Sequence, residues 1–125
     1  MTPAQFRVYR QALGLSNRMC ADELHVNLRS VQLWQKPGGT IPPFAAAWLT
    51  KKWDIMLKRI ETALDVSDLD TVGTPVKLTL SRTPPQLEAS GLKDLTPVEA
   101  AAMAGILAAS CQLAGRDVQI EYAQE

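Results

Sequence analysis

The sequence predicts a mainly α-helical fold, in which an N-terminal bundle with a long fourth helix precedes a small α+β segment. Two observations predict this order. Residues 3–65 place apolar side chains at helical spacing, interrupted where capping residues, glycines or prolines separate one helix from the next. Residues 76–81 and 117–122 alternate apolar and polar side chains, which is typical of half-buried strands. The length of 125 residues suits one domain, or one small domain with an appendage.

The first predicted helix has clear start and stop signals. It begins at Pro3, because proline suits the first helical position and because Thr2 and Gln5 form a Thr-x-x-Gln capping box. Gly14 ends it.

A tight turn joins the next two predicted helices. Ser16 caps the first of them, which runs to about Leu24, and Asn27 caps the second, which ends before Pro37. His25 falls in the turn, where one residue needs a positive φ, and histidine is among the residues besides glycine that tolerate it. Apolar or small side chains stand where a helix-turn-helix requires them: Leu15, Cys20, Ala21, Leu24, Val26, Val31 and Trp34.

The second helix of this pair has a polar outer face formed by Arg29, Ser30 and Gln32. A short helix that is apolar inside and hydrogen-bonding outside has the shape to enter a DNA major groove. DNA reading is therefore the leading functional hypothesis. The alternative for Arg29 and Gln32 is an ordinary solvated helix face.

The fourth helix is predicted over 43–65. Its apolar side chains include a stripe formed by Leu49, Trp53, Met56, Ile60 and Leu64, and a second surface formed by Phe44, Trp48 and Ile55. So broad an apolar surface packs on more than one side. We therefore expect three parts: a helix-turn-helix domain over 1–65, a linker rich in acidic and hydroxyl residues over 66–74, and a small α+β dimerisation segment over 75–125.

The C-terminal segment contains two predicted strands and one predicted helix. Pro84 and Pro85 end the first strand, and residues 86–95 carry no assignment. A second capping box, Thr96-x-x-Glu99, begins a helix that runs to about Leu113 and ends at Gly115. The second strand follows at 117–122.

The net charge of zero conceals a division along the chain. Residues 1–60 carry nine basic and three acidic side chains, whereas residues 61–125 carry four basic and ten acidic ones. Such a division favours a front half that binds a polyanion, joined to a half with another role. The alternative is that surface charge is divided by chance.

Several functional classes find no support in the composition. No apolar run is long enough to span a bilayer, and the first residues lack the layout of a secretory signal, so we expect a cytoplasmic protein with no membrane partner. Cys20 and Cys111 fall in apolar helical patterns, which favours buried free thiols over a redox pair. With one histidine and no nucleophile–base pair or phosphate loop, we expect no enzyme, metal or cofactor.

The N-terminal half resembles the Cro/repressor-type (XRE-like) helix-turn-helix family over about residues 3–60, without gaps. The resemblance rests on Arg10, Gly14, Leu15, Ser16, Ala21, Leu24, Val26, Ser30, Val31, Trp34 and Pro42. It implies that the helix after Asn27 is the recognition helix. The residues expected to face base edges are then Leu28, Arg29, Gln32 and Leu33.

The chemistry of these side chains suits the implied roles. Arginine can bond O6 and N7 of guanine together, glutamine can bond N6 and N7 of adenine, and a leucine can meet a thymine methyl. Leu28 and Leu33 have an alternative role in covering a neighbouring element. The residues expected to contact phosphate or to position the helix are Asn17, Arg18, Asn27, Ser30, Lys36, Gly38 and Thr40.

Three positions depart from the pattern of that family. His25 stands where the turn usually has glycine. Gln35 stands where the family often has an acid that pairs with the arginine of the first helix, so we expect a neutral amide to hold Arg10. The run 37–39, Pro-Gly-Gly, replaces a single glycine and alters the loop on the phosphate side.

The last helix is expected to form a homodimer interface. Ala101, Gly105 and Ala109 recur every four residues and form a smooth ridge for close approach, although alanine is also simply the best helix former. Two strands and one helix make too thin a layer to be stable alone, and a second copy would complete it, with help from Trp53.

The order of elements also resembles the repressors that control anti-CRISPR operons and their bacterial relatives. Together these features predict a dimeric, sequence-specific transcriptional regulator of bacterial or phage type, a repressor that binds double-stranded DNA at a palindromic operator. The alternative is an antitoxin or adaptor that binds DNA and also a partner protein through its acidic C-terminal half.

Overall fold

The computed structural model describes residues 1–67 and 74–124, and within them it contains six helices and two strands. The elements are α1 (Pro3–Ala12), α2 (Asn17–Leu24), α3 (Leu28–Trp34), α4 (Pro43–Ser67), β1 (Val76–Leu80), α5 (Pro84–Ala89), α6 (Pro97–Leu113) and β2 (Val118–Tyr122). The predicted class, mainly α with a small β component, is confirmed. The chain forms two compact units, Met1–Met56 and Leu57–Glu125.

The predicted caps of the N-terminal unit are all present. The backbone N–H of Gln5 donates to Thr2 Oγ1 (3.1 Å), and the N–H of Thr2 donates to Gln5 Oε1 (2.8 Å), which completes the capping box of α1. Ser16 Oγ accepts from Met19 N–H at 3.0 Å, and Asn27 Oδ1 accepts from Ser30 N–H at 2.8 Å. Each helix therefore starts where a side-chain oxygen replaces a missing backbone acceptor.

The turn between α2 and α3 depends on His25. This residue has φ 57° and ψ 42°, in the left-handed region, as the sequence predicted. The conformation brings Val26 N–H to the carbonyl of Ala21 at 3.0 Å, so the end of α2 is closed by a backbone hydrogen bond. The chain then continues through Val26 to Asn27, which caps α3.

The core of the N-terminal unit lies between α1, α2, α3 and the first half of α4. Phe6, Leu15, Cys20, Val31 and Leu49 are at most 2% exposed. Trp34 adds an aromatic rim, since its ring meets Phe6 edge-on at 6.2 Å and Phe44 edge-on at 5.9 Å.

Helix α4 is two residues longer than predicted, because it continues through Val66 to Ser67. The first two residues of the predicted linker, 66–74, are therefore helical. Residues 68–73 lie outside the described residues. The boundary between the two units falls inside α4, after Met56.

The C-terminal unit contains a parallel pair of strands that belong to the same chain. Val76 pairs with Val118, and Leu80 pairs with Tyr122. Parallel neighbours cannot be joined by a tight hairpin, so the connection crosses over through α5 and α6. Helix α6 packs on both strands, and Val76 and Cys111 are buried.

Helix α5 has no counterpart among the predicted elements. It occupies residues 84–89, where the sequence analysis ended a strand and left residues from 86 onward unassigned. Its six residues are too few to show a helical period. The cap was the available signal, because Thr83-x-x-Gln86 repeats the pattern of Thr2-x-x-Gln5, and Thr83 Oγ1 accepts from Gln86 N–H at 3.4 Å.

The second capping box is confirmed at α6, where Thr96 and Glu99 exchange hydrogen bonds. In the described part of the chain, no helix is both long enough and apolar enough to cross a bilayer.

A substitution at His25 tests the cost of the left-handed turn. We expect His25→Gly to raise the free energy of unfolding by about 0.5–1 kcal/mol, because glycine adopts a positive φ without a Cβ penalty. His25→Val should lower it, since a β-branched side chain fits that region worst. All three tryptophans lie in the N-terminal unit, so urea denaturation followed by tryptophan fluorescence reports on that unit. A less stable His25→Gly variant would contradict the expectation.

Candidate nucleic-acid interface

The outer side of α3 carries the predicted base-reading residues at different degrees of exposure. Arg29, Gln32 and Leu33 are exposed, and Leu33 keeps 44% of its surface accessible. Leu28 is half-buried, while Val31 faces the core and is fully buried. The helix therefore presents two polar side chains and one leucine to solvent.

A cleft of about 320 Å³ opens beside α3. It is lined by Arg7, Arg10, Asn17, Gln32, Gln35, Lys36 and Pro37. Three of these side chains are basic, the other polar ones are amides, and none of the lining residues is acidic. The cleft therefore offers a site for an anion directly next to the exposed side of α3.

Arg10 forms the floor of this cleft and is 9% exposed. Its Nε donates to Gln35 Oε1 at 3.0 Å, and its Nη1 donates to the Leu15 carbonyl at 2.8 Å. This confirms that the neutral amide of Gln35 holds Arg10. Burial lowers the pKa of Arg10 below its ordinary value; the charge of an ionised Cys20 would oppose that change, and the charge of Arg7 adds to it.

Gln35 connects Arg10 to the start of α2. Its Nε2 donates to Asn17 Oδ1 and to the Val31 carbonyl, both at 2.8 Å. One amide thus makes hydrogen bonds to α1, α2 and α3. The network fixes how the predicted recognition helix stands against the helix before it.

The seven predicted phosphate and positioning residues do not form one group. Asn17 and Lys36 line the cleft, whereas Arg18, Gly38 and Thr40 are exposed outside it. Asn27 and Ser30 bond to each other, because Asn27 Oδ1 accepts from both Ser30 N–H and Ser30 Oγ (2.9 Å). This pair serves as the cap of α3.

The loop after α3 is shaped by Gly38 and Gly39. Gly38 has φ 80° and open space around it. Gly39 lies against the end of α3, where a Cβ would come within 2.7 Å of the carbonyl oxygens of Leu33 and Trp34. Glycine is therefore required at the two positions for different reasons. Position 38 adopts a left-handed backbone conformation, whereas position 39 has no room for a Cβ atom.

Arg7 is a site residue that the sequence analysis did not select. It is exposed and lines the cleft with Arg10, which stands three residues later on α1. The available signal was this i, i+3 spacing, which places two basic side chains on neighbouring positions of one helix face.

The residues predicted for dimerisation lie in different units. The Trp53 ring stacks on Tyr9 within the N-terminal unit, with 4.2 Å between centroids and 12° between planes, so one ring face is occupied. Ala101, Gly105 and Ala109 are exposed and follow one another along the outer side of α6. A Cβ added at Gly105 would meet no atom within 4 Å.

Both cysteines are free and buried, as predicted. Within the part of the chain that the structure describes, no three histidine, cysteine or carboxylate side chains cluster to hold a metal ion.

In comparisons by sequence, no protein-family model matches the chain, and no curated protein matches it either.

The buried Cys20 thiol interacts with the charge of Arg10, and we expect it to make the stability of the N-terminal unit depend on pH. Burial raises its pKa from 9.0 to about 11. The unfolded chain therefore loses this proton first, and the free energy of unfolding should fall as pH rises from 9 toward 11, by about 2 kcal/mol from this group. Below about pH 8 the thiol is almost fully protonated in both states and contributes no slope.

Urea denaturation across this pH range, followed by tryptophan fluorescence, checks the expectation against Cys20→Ala. The variant should be less stable than wild type near neutral pH because it leaves a cavity, but its stability should fall less steeply above pH 9. Equal slopes for the two proteins would show that Cys20 does not carry this pH dependence.

Proposed function

We propose that the protein is a sequence-specific DNA-binding transcriptional regulator, a repressor that acts as a dimer on a palindromic operator. One observation carries the proposal: the exposed Arg29 and Gln32 of α3 stand next to a cleft lined by three basic side chains. A duplex offers base edges and phosphates side by side, so a protein that reads DNA needs both surfaces next to each other.

Base reading is assigned to the exposed side of α3. The Arg29 guanidinium suits guanine, and the Gln32 amide suits adenine, since each can form two hydrogen bonds to one base edge. Leu33, the more exposed of the two leucines, would contact a thymine methyl. Leu28 is half-buried and contributes less to readout.

Phosphate binding is assigned to the cleft and its rim. Arg7 and Lys36 are exposed and supply mobile positive charge, while Arg10 supplies a fixed charge from the floor. Arg18 and Thr40, which are exposed outside the cleft, are two further donors. These contacts hold the duplex in register without reading its sequence. The resemblance to XRE-like regulators supports the same division of roles.

A second copy of the chain is the partner assigned to α6. No charged residue stands between Glu99 and Arg116, and the outer side of the helix exposes Ala101, Gly105 and Ala109. Two copies can approach such a surface without burying an unpaired charge. A palindrome then requires two recognition helices about 34 Å apart, which is one turn of the duplex.

Substitutions on α3 should change which DNA sequence is preferred, whereas substitutions in the cleft should weaken binding to all sequences. Arg29→Ala should weaken binding to the preferred duplex by about 1–3 kcal/mol and relax preference at one base position, and Gln32→Ala should do the same at another. Lys36→Ala should weaken all sequences alike and lower the salt slope by about one. Selection from random duplexes, followed by binding measurements across salt concentrations, checks both patterns. Unchanged preferences in Arg29→Ala and Gln32→Ala would overturn the readout assignment.

The dimer is tested at Gly105. Gly105→Glu should give a monomer by light scattering, because a charged side chain would enter the interface, while the fold is kept because the position faces open space. Ala89→Glu adds the same charge at an exposed position of α5 and should leave the dimer intact. A wild-type monomer at micromolar concentration would reject the homodimer and favour the antitoxin or adaptor reading, in which a partner protein covers this unit.

A further inference from the structure

The hydrogen-bond chain beneath the cleft determines the direction of each amide in it. Arg10 Nε can only donate, so the Gln35 atom 3.0 Å away must be the oxygen. The Val31 carbonyl can only accept, so the Gln35 atom 2.8 Å from it must be the nitrogen. Two neighbours of opposite character thus hold the Gln35 amide in one orientation.

The orientation of the Gln35 amide determines the orientation of the Asn17 amide. Gln35 Nε2 is a donor, so the Asn17 atom 2.8 Å away is Oδ1. The atom that remains for a ligand is Asn17 Nδ2, which makes no hydrogen bond to protein within residues 1–67 and 74–124. Since Asn17 lines the cleft, it adds a neutral donor to the positive charges of Arg7, Arg10 and Lys36.

We infer that Gln35 is a positioning residue, which turns Asn17 so that its Nδ2 donates to a DNA backbone phosphate held in the cleft. This inference rests on the proposed function and names the contact at which the cleft engages the duplex. A phosphodiester oxygen can only accept hydrogen bonds, so a cleft that presents donors is its complement. An asparagine that presented Oδ1 would repel it.

The residue type at position 35 therefore decides what Asn17 presents. A glutamate there would accept from Arg10 and could also accept from Asn17, which would turn Nδ2 inward and Oδ1 outward. It would also neutralise Arg10. Gln35 holds the buried cation without cancelling its charge and leaves the asparagine donor available to a ligand.

A double-mutant cycle tests this role. The probe is a fluorescein-labelled duplex of about two helical turns, titrated by anisotropy with wild type, Asn17→Ala, Gln35→Glu and the double variant. We expect Asn17→Ala to weaken binding about tenfold when Gln35 is retained and less than about twofold when it is combined with Gln35→Glu. Comparing the effect of one change within each background removes the general effect of the added charge.

An isosteric substitution at Asn17 provides a second test of the inference. Asn17→Asp replaces the donor by an acceptor, and a carboxylate in the first turn of α2 favours the helix, so the melting temperature should not fall. Binding should weaken more than in Asn17→Ala. Thr50→Asp adds the same charge at an exposed position of α4 that does not line the cleft, and we expect it to cost less than about twofold.

The outcomes separate this inference from the proposed function. A phosphate contact does not depend on base sequence, so the cycle is measured on a selected duplex and on a scrambled one. Equal losses for Asn17→Ala in the two backgrounds would overturn the role of Gln35. A wild type that does not prefer the selected duplex would instead overturn sequence-specific regulation, while the cycle on either duplex still judges Gln35.

The orientation is also measurable without any variant. In the wild-type protein the Gln35 side-chain amide protons should exchange slowly with solvent, because both are donated to protein oxygens. Those of Asn17 should exchange rapidly. The reverse order in side-chain amide exchange by NMR would overturn the inference directly.

Discussion

The N-terminal unit depends on a buried cation that is held by uncharged groups. Arg10 reaches from α1 to the Leu15 carbonyl and to the Gln35 amide, so one guanidinium joins α1, the turn before α2 and the end of α3. Removing such a charge from water costs free energy, which hydrogen bonds to the guanidinium offset. Each of these hydrogen bonds also fixes the position of the segment that accepts it. The position of α3 is therefore tied to the hydrogen bonds of Arg10, as well as to the apolar core around Phe6 and Val31.

Holding the cation with an amide has a second consequence. An acidic partner would bind Arg10 more strongly, but it would also cancel the charge that the cleft presents. With Gln35 in that place, the positive charge of Arg10 adds to the charges of Arg7 and Lys36. The same contact that organises the fold thus leaves the positive charge that the proposed binding of a polyanion requires.

The C-terminal unit is organised by its parallel strand pair. A parallel strand pair requires a crossover, and the crossover brings α5 and α6 into the unit. Of the 17 residues of α6, Glu99, Ala100 and Cys111 are buried, although the helix contains almost no polar side chains. A helix that is apolar on every side is usually covered. Its outer side exposes Ala101, Gly105 and Ala109, and this is the surface that we propose a second copy of the chain covers.

Local chemistry explains why much of this architecture could be predicted from the sequence. Caps such as Thr2, Ser16, Asn27 and Thr96 act within three or four residues, and the left-handed turn at His25 follows from the helices on either side. These features can therefore be recognised from short stretches of sequence. Alternation at 76–81 and 117–122 likewise predicted both strands. Helix α5 was missed because its six residues are fewer than the roughly 11–18 over which a helical period can be recognised.

The cleft and the pairing of the strands depend on residues that are distant in sequence. The packing of three helices brings Arg7 and Lys36 into the lining of one cleft. The same packing allows the hydrogen bond between Gln35 and Asn17. Alternating side chains predict a strand but carry no information about its partner, so the parallel pairing within one chain came from the path of the crossover. The sequence was thus sufficient for the elements and for the polar side of α3, whereas the direction of each hydrogen bond at the site required the packed structure, because donors and acceptors are assigned by their neighbours in space.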